Sequence, residues 1–233
     1  MPASRSLEDL VDRQVRLWEA ERRVHTPPPR GPCIALSRQP GTGAAELGRR
    51  VAELLDYGFF GIEIVDQIAR ELGVQRRLVA GLDERVSTGI DRYVADSFRT
   101  RPFTETDYLR AVVRTIATLG ERGRAVILGR GAPHILPPTR ALRVLVVAPR
   151  EARAARIARE EGLTAREAEE TLAQRDAERL SFLRHDFGVE PDDPTLYDLV
   201  VNTATLGLET SAALVIDALR KRFPTQRAVE AAP

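Results

Sequence analysis

The chain has 233 residues, 43% of them hydrophobic and 30% charged, which suffices for one α/β domain with an added element. A formal net charge of +1 sets up no global field for nucleic acid or an anionic membrane, and no apolar run approaches the roughly 20 residues of a membrane-spanning helix. The first residues lack the basic-then-apolar order of a signal peptide and the single cysteine cannot close an internal disulfide, so the sequence places the protein in the cytoplasm.

From the N-terminus, residues 6–24 set Leu7, Leu10, Val11, Leu17 and Trp18 on one helical stripe, with Ser6 as N-cap. Pro27, Pro28, Pro29 and Pro32 then hold the chain extended. Residues 1–32 therefore read as an appendage, a helix that covers an apolar surface or meets a second copy of the chain. Beyond it, short apolar runs at 33–36, 125–128, 142–148 and 196–201 alternate with helical stretches. That order predicts an α/β fold over 33–223, a parallel sheet with helices on both faces. Residues 63–120 form an arginine-rich, mostly helical section that reads as an insertion. Residues 151–187 form a second helical section, restarted by a capping box of Thr164 and Glu167. The tail 224–233 carries no element.

The stretch "SRQPGTGAAEL" is the most informative. A strand that ends in a glycine turn and feeds a helix aims backbone N–H groups and the positive end of a helix dipole at one point, where an anion fits. Gly41 and Gly43 allow close backbone approach, and Ala44 and Ala45 begin the helix without bulk. A phosphate loop normally continues Gly-Lys-Ser/Thr, and here Ala44, Ala45 and Glu46 follow Gly43. Glu46 stands in the place of the magnesium-ligating hydroxyl, where a carboxylate suits either a magnesium ligand or a group that repels the phosphates. Lys221 is the only lysine among 35 basic residues, so any cation that replaces the loop lysine must be arginine, whose planar fork reads phosphate bidentately.

Other constellations are weaker. His25, His134 and His185 show no metal-ligand spacing with Cys33, which opens a buried strand as a small core residue. The basic runs lack the interleaved aromatics of a nucleic-acid surface. Arg175 and Arg179 lie one helical turn apart and share a face, an arrangement that also suits an exposed face laced with ion pairs.

Three further segments, "VILGRGAPHIL", "EEGLTAREAEETLAQRDAERLSFLRHDFGV" and "DPTLYDLVVNTATLGLE", join "DYGFFGIEIVDQIARELGV" and the glycine turn in an order that resembles the cytidylate kinase-like family. The resemblance covers about residues 33–220. It implies a P-loop-type core that holds a donor nucleotide, an insertion (63–120) that holds an acceptor monophosphate, and an arginine-bearing lid within 151–187. Gly41, Thr42, Gly43, Ala44, Ala45 and Glu46 would then bind the donor phosphates. Gly129, Arg130 and Gly131 would face the acceptor. Arg175, Arg179 and Arg184 would bracket the transferring group, with Asp176 orienting an arginine. ATP and Mg²⁺ are the implied cofactors, and CMP or dCMP the implied acceptor.

The chain also departs from the family. The kinase-like branch commonly carries Gly-Gly-Arg-Glu where this chain has Gly43-Ala44-Ala45-Glu46, an Asp where Gly61 stands, and cytidylate kinases an acceptor-binding Arg near Gln67. These departures keep a second reading open, a nucleotide-binding module of the same fold with impaired catalysis, and a third, a kinase for another small acceptor. Arg38, Arg49 and Arg50 flank the turn as sources of compensating charge, but position in the sequence alone does not aim them.

Overall fold

A computed structural model describes residues 31–69 and 107–224. The helix expected over 6–24, residues 70–106 of the arginine-rich section and the tail from 225 lie outside the described residues.

In chain order the elements are β1 (Cys33–Arg38), α1 (Ala44–Leu55), β2 (Gly58–Phe60), the helical residues 62–69 (α2), α3 (Asp107–Arg122), β3 (Ala125–Leu128), α4 (Ala132–Ile135), β4 (Ala141–Val147), α5 (Arg150–Glu161), α6 (Ala165–Phe187), β5 (Leu199–Asn202) and α7 (Thr203–Arg222). The strands form one sheet in the order β2-β3-β1-β4-β5, and every pair is parallel. This is the P-loop-type architecture.

Period-2 side-chain alternation explains the apolar runs. In β1, Cys33 and Ala35 join the core on one face with α2, α3, α4 and the end of α6, while Ile34 and Leu36 join the core on the other face with α1 and α7. In β3, Ala125 and Ile127 divide from Val126 and Leu128 in the same way. A strand buried on both faces has no polar position to spare, hence runs such as AVIL.

Three boundaries differ from the sequence expectation. β2 is only Gly-Phe-Phe, too short for a periodic signal. Residues 107–122, expected within the insertion, form a helix whose Val112, Ile116 and Leu119 sit in the core beside β3. The last strand was expected from residue 196. Instead Pro194–Leu196 is a single 3₁₀ turn capped by Asp193, and pairing starts at Leu199. A proline fixes φ and lacks the N–H that a ladder would need.

α5 and α6 form a helical hairpin with its own small core of Ala154, Ile157, Ala168 and Leu172. The capping box starts α6 as expected: the Thr164 side chain accepts from the Glu167 N–H and Glu167 reaches back to the Thr164 N–H. At its far end α6 delivers Leu183 and Phe187 to the main core.

Candidate functional site

β1 and β3 are neighbours, and both end in glycine turns at the carboxyl edge of the sheet, the edge where open α/β sheets form their ligand crevices. A cleft of about 510 Å³ lies there, lined by the turn after β1, the turn after β3 and the hairpin helices.

In the first turn Gly41 (φ 78°) and Gly43 (φ 72°) are both left-handed. Gly43 also serves as N-cap of α1 with no side-chain hydrogen bond, so the helix start remains open, and Ala44 and Ala45 line the cleft. Thr42 is buried. Its hydroxyl donates to the Gln39 carbonyl at 2.8 Å, and its own carbonyl accepts from the Thr203 hydroxyl at 2.8 Å. The hydroxyl of Thr42 therefore braces the turn, and anion contact is left to the backbone.

The cations that touch this turn come from α5, and sequence reading missed them. A Cβ on Gly41 would lie 2.6 Å from the Arg153 carbonyl, and a Cβ on Gly43 would lie 2.4 Å from Nη1 of Arg156. Arg153 is buried and donates to both oxygens of Asp176, at 2.8 and 3.0 Å, and to the Pro40 carbonyl at 3.3 Å. Asp176 thus holds Arg153, which is not one of the arginines that the resemblance sets around the transferring group, and through it the turn. Arg156 donates to Glu46 at 2.5 Å. Burial works against the Arg156 charge, but hydrogen bonds to Glu46 and Glu160 outweigh it and raise its pKa. The available signal was that these arginines, three apart in "EARAARIAREEG", share a face of α5.

Glu46 is therefore turned toward Arg156, and it is not among the residues that line the cleft. Among the described residues no group of three or more His, Cys, Asp or Glu side chains could hold a metal. The open helix start and the arginines of the cleft suit an anion.

In the second turn Gly129, Arg130 and Gly131 are left-handed in succession, with φ of 80°, 49° and 74°. For a residue with a Cβ this conformation costs on the order of 1 kcal/mol, and here it sends Arg130 into the cleft. Arg130 donates to both oxygens of the buried Asp66 on α2, at 2.6 and 2.5 Å, and lies over the Phe182 ring at 5.8 Å. Burial opposes its charge, but the Asp66 carboxylate prevails and raises its pKa. Tyr108 donates a third hydrogen bond to Asp66 at 2.7 Å. A Cβ on Gly131 would lie 2.2 Å from the Phe187 ring, so close packing also demands glycine there.

The α6 arginines separate by helical phase. Arg179, only 7% exposed, donates to Asp192 at 2.9 Å and to the Pro191 carbonyl at 3.3 Å, and reaches Ser37 at 3.5 Å. Arg175, one turn back, also lines the cleft, tied to Glu161 at 2.6 and 3.0 Å. Arg184 is not brought to the cleft: it lies five residues beyond Arg179, about 140° around the helix, and pairs with Glu190 on the exposed side.

The flanking arginines also divide. Arg38 and Arg49 both line the cleft, Arg49 with its guanidinium 5.3 Å over the Phe59 ring, whereas Arg50 pairs with Glu53 and Glu209. Where the resemblance leads one to expect an aspartate, Gly61 leaves room for Glu63, whose Oε2 lies 3.1 Å from where a Cβ would sit. His134 packs against Phe187 and Tyr197 and is not among the lining residues. Cys33 is buried and desolvation pushes its thiol pKa up to about 11, which suits a core residue and not a nucleophile.

A model of the cytidylate kinase-like family matches residues 33–205 of the chain. A cytidylate kinase from Aeropyrum pernix is 29% identical over 192 residues, which cover 80% of this chain and 98% of that protein. A cytidylate kinase from Methanopyrus kandleri is 27% identical over 180 residues, 73% of this chain and 84% of that one. The crystal structure of an uncharacterized protein from Eubacterium ventriosum matches with a TM-score of 0.65 at 17% identity, covering 82% of this chain and 99% of that chain, a likeness of fold.

Proposed function

We propose, from the premise that the chain belongs to the cytidylate kinase-like family, that it is a nucleoside monophosphate kinase that transfers the γ-phosphoryl group of ATP to CMP or dCMP in the cytoplasm. The observation that carries this reading is a single cleft lined by the glycine turn after β1, by Arg130 on the turn after β3 and by Arg175 and Arg179 on α6.

The turn and the open start of α1 would hold the donor phosphates through backbone N–H groups. Arg130 would face the acceptor. An oxygen of the acceptor phosphate would attack the γ-phosphorus in line as the bond from that phosphorus to the β,γ-bridging oxygen breaks, leaving ADP and the diphosphate. No proton has to be removed from the nucleophile, so the site needs no general base. The work is positioning and neutralisation of charge on the equatorial oxygens, which Arg179 and Arg175 would supply from above. Because Glu46 is held by Arg156, Mg²⁺ would arrive on the phosphate oxygens of the nucleotide, where it neutralises charge. The hairpin 151–187 would be the lid, and exclusion of water by its closure would limit hydrolysis.

A second reading, a nucleotide-binding module with impaired catalysis, is favoured by one observation. The guanidinium nearest Gly43 among the described residues, that of Arg156, is already engaged by Glu46 and Glu160 and is not a free cation at the start of α1. The deciding experiment offers CMP, dCMP, UMP, AMP and GMP separately to the purified chain with Mg²⁺ and γ-labelled ATP, with Arg179→Ala alongside. The expected outcome is transfer to CMP or dCMP that the variant loses. Binding of nucleotide without transfer to any monophosphate would instead select the second reading.

A further inference from the structure

Of the arginines that line the cleft, Arg130, Arg175 and Arg179 each meet a carboxylate, Asp66, Glu161 and Asp192 respectively, and Arg49 lies over the Phe59 ring. The Arg38 side chain, among the described residues, makes neither a hydrogen bond nor an ion pair and has no aromatic ring beneath it, although it lines the same cleft as these cations. Its Nη1 lies 3.1 Å from where a Cβ on Gly129 would sit, so the guanidinium is tucked against the turn that carries Arg130. Burial, and next Arg179 and Arg130, pull its pKa down to about 10, against the smaller opposing field of Glu63. At neutral pH it is still a cation, held in a partly dry place beside two others. Three cations converge there, only Arg130 and Arg179 of the three hold an ion-paired carboxylate among the described residues, and the smaller field of Glu63 offsets theirs in part, so an incoming dianion meets a net positive field.

We propose that Arg38 is a phosphate-binding residue that grips the phosphoryl group of the acceptor monophosphate, sharing this dianion with Arg130 and Arg179. The acceptor is favoured over the donor because Arg38 abuts the turn after β3, whereas the turn after β1 is touched by Arg153 and Arg156. Identification of the phosphate as that of a nucleotide rests on the function proposed above.

The test uses the full chain and its Arg38→Met and Arg38→Lys variants, with calorimetric binding of CMP, cytidine and ATP and the melting temperature of each ligand-free protein. Loss of a charge-assisted contact in Arg38→Met should weaken CMP by about 10- to 100-fold. Cytidine and ATP should bind as before, Arg38→Lys should recover part of the loss, and Arg38→Met should melt no lower than the parent. CMP binding within about threefold of the parent, or a lower melting temperature with equal loss of CMP and cytidine, would overturn the assignment. If the parent binds no nucleoside monophosphate at all, inorganic phosphate separates the two claims. A phosphate-induced rise in melting temperature that Arg38→Met abolishes upholds the phosphate grip while the kinase reading falls. A parent that inorganic phosphate does not stabilise removes both.

Discussion

Two glycine turns face the cleft from adjacent parallel strands, 39–43 after β1 and 129–131 after β3, and each sets one residue between two left-handed glycines. In the first that residue is Thr42, which folds inward, bonds to the Gln39 carbonyl and leaves the backbone to the cleft. In the second it is Arg130, itself left-handed at φ 49°, which projects into the cleft and anchors on Asp66. Similar local dihedral grammar thus yields a backbone surface in one place and a positioned side chain in the other. The difference lies in whether the middle residue satisfies its polar atoms within the turn or must find a partner on another element.

The sharpest way to break the first turn is Gly41→Ala. The left-handed φ and a Cβ 2.6 Å from the Arg153 backbone carbonyl together should cost about 3 kcal/mol in denaturant unfolding and abolish ATP binding, since the obstacle is backbone and cannot swing away. Unchanged stability would mean that α5 does not seat on the turn as described. In the second turn the loss falls on chemistry: Arg130→Ala should lower kcat/KM for transfer about 100-fold, roughly 2.7 kcal/mol, while ATP binding holds. Equal loss in both would show that the two turns are not separable in function.

A finer measurement compares Arg130→Gly with Arg130→Ala. Both lack the guanidinium, but only alanine retains the left-handed penalty, so the glycine variant should be more stable by about 1 kcal/mol. No difference would remove the backbone strain from the account. The smallest effect is expected from Thr42→Val, which deletes the brace to Gln39 at nearly constant volume and should cost about 0.5–1 kcal/mol, read as a shift of the denaturant midpoint.

Much of the architecture was legible in the sequence. Cys33 to Leu36 and Ala125 to Leu128 are apolar at every position, which only a strand buried on both faces requires, and the first glycine turn announced itself by Gly41 and Gly43 before a helix. Thr164 and Glu167 marked the start of α6 to the residue. β2 was not legible, because three residues carry no period, nor was the delayed start of β5, because Asp193 and Pro194 divert a run whose composition reads as strand. Of the α6 arginines, Arg175 and Arg179 could be grouped by their spacing of four. Arg184 came in with the resemblance, and the same helical spacing sends it to Glu190 on another face.

The sequence by itself determined what depends on neighbours along the chain: dihedral preferences, side-chain period, capping and the order of elements that carries the family resemblance. Only the tertiary structure decided which charges meet. Arg156 finds Glu46 across 110 positions, Arg130 finds Asp66 across 64 and Arg153 finds Asp176 across 23, while Arg38 finds no carboxylate among the described residues. These outcomes follow from the strand order β2-β3-β1-β4-β5, which brings β3 beside β1 and hangs the α5–α6 hairpin over both turns. An ion pair needs two side chains within about 4 Å, and that proximity is a property of the folded chain and not of the spacing of its residues.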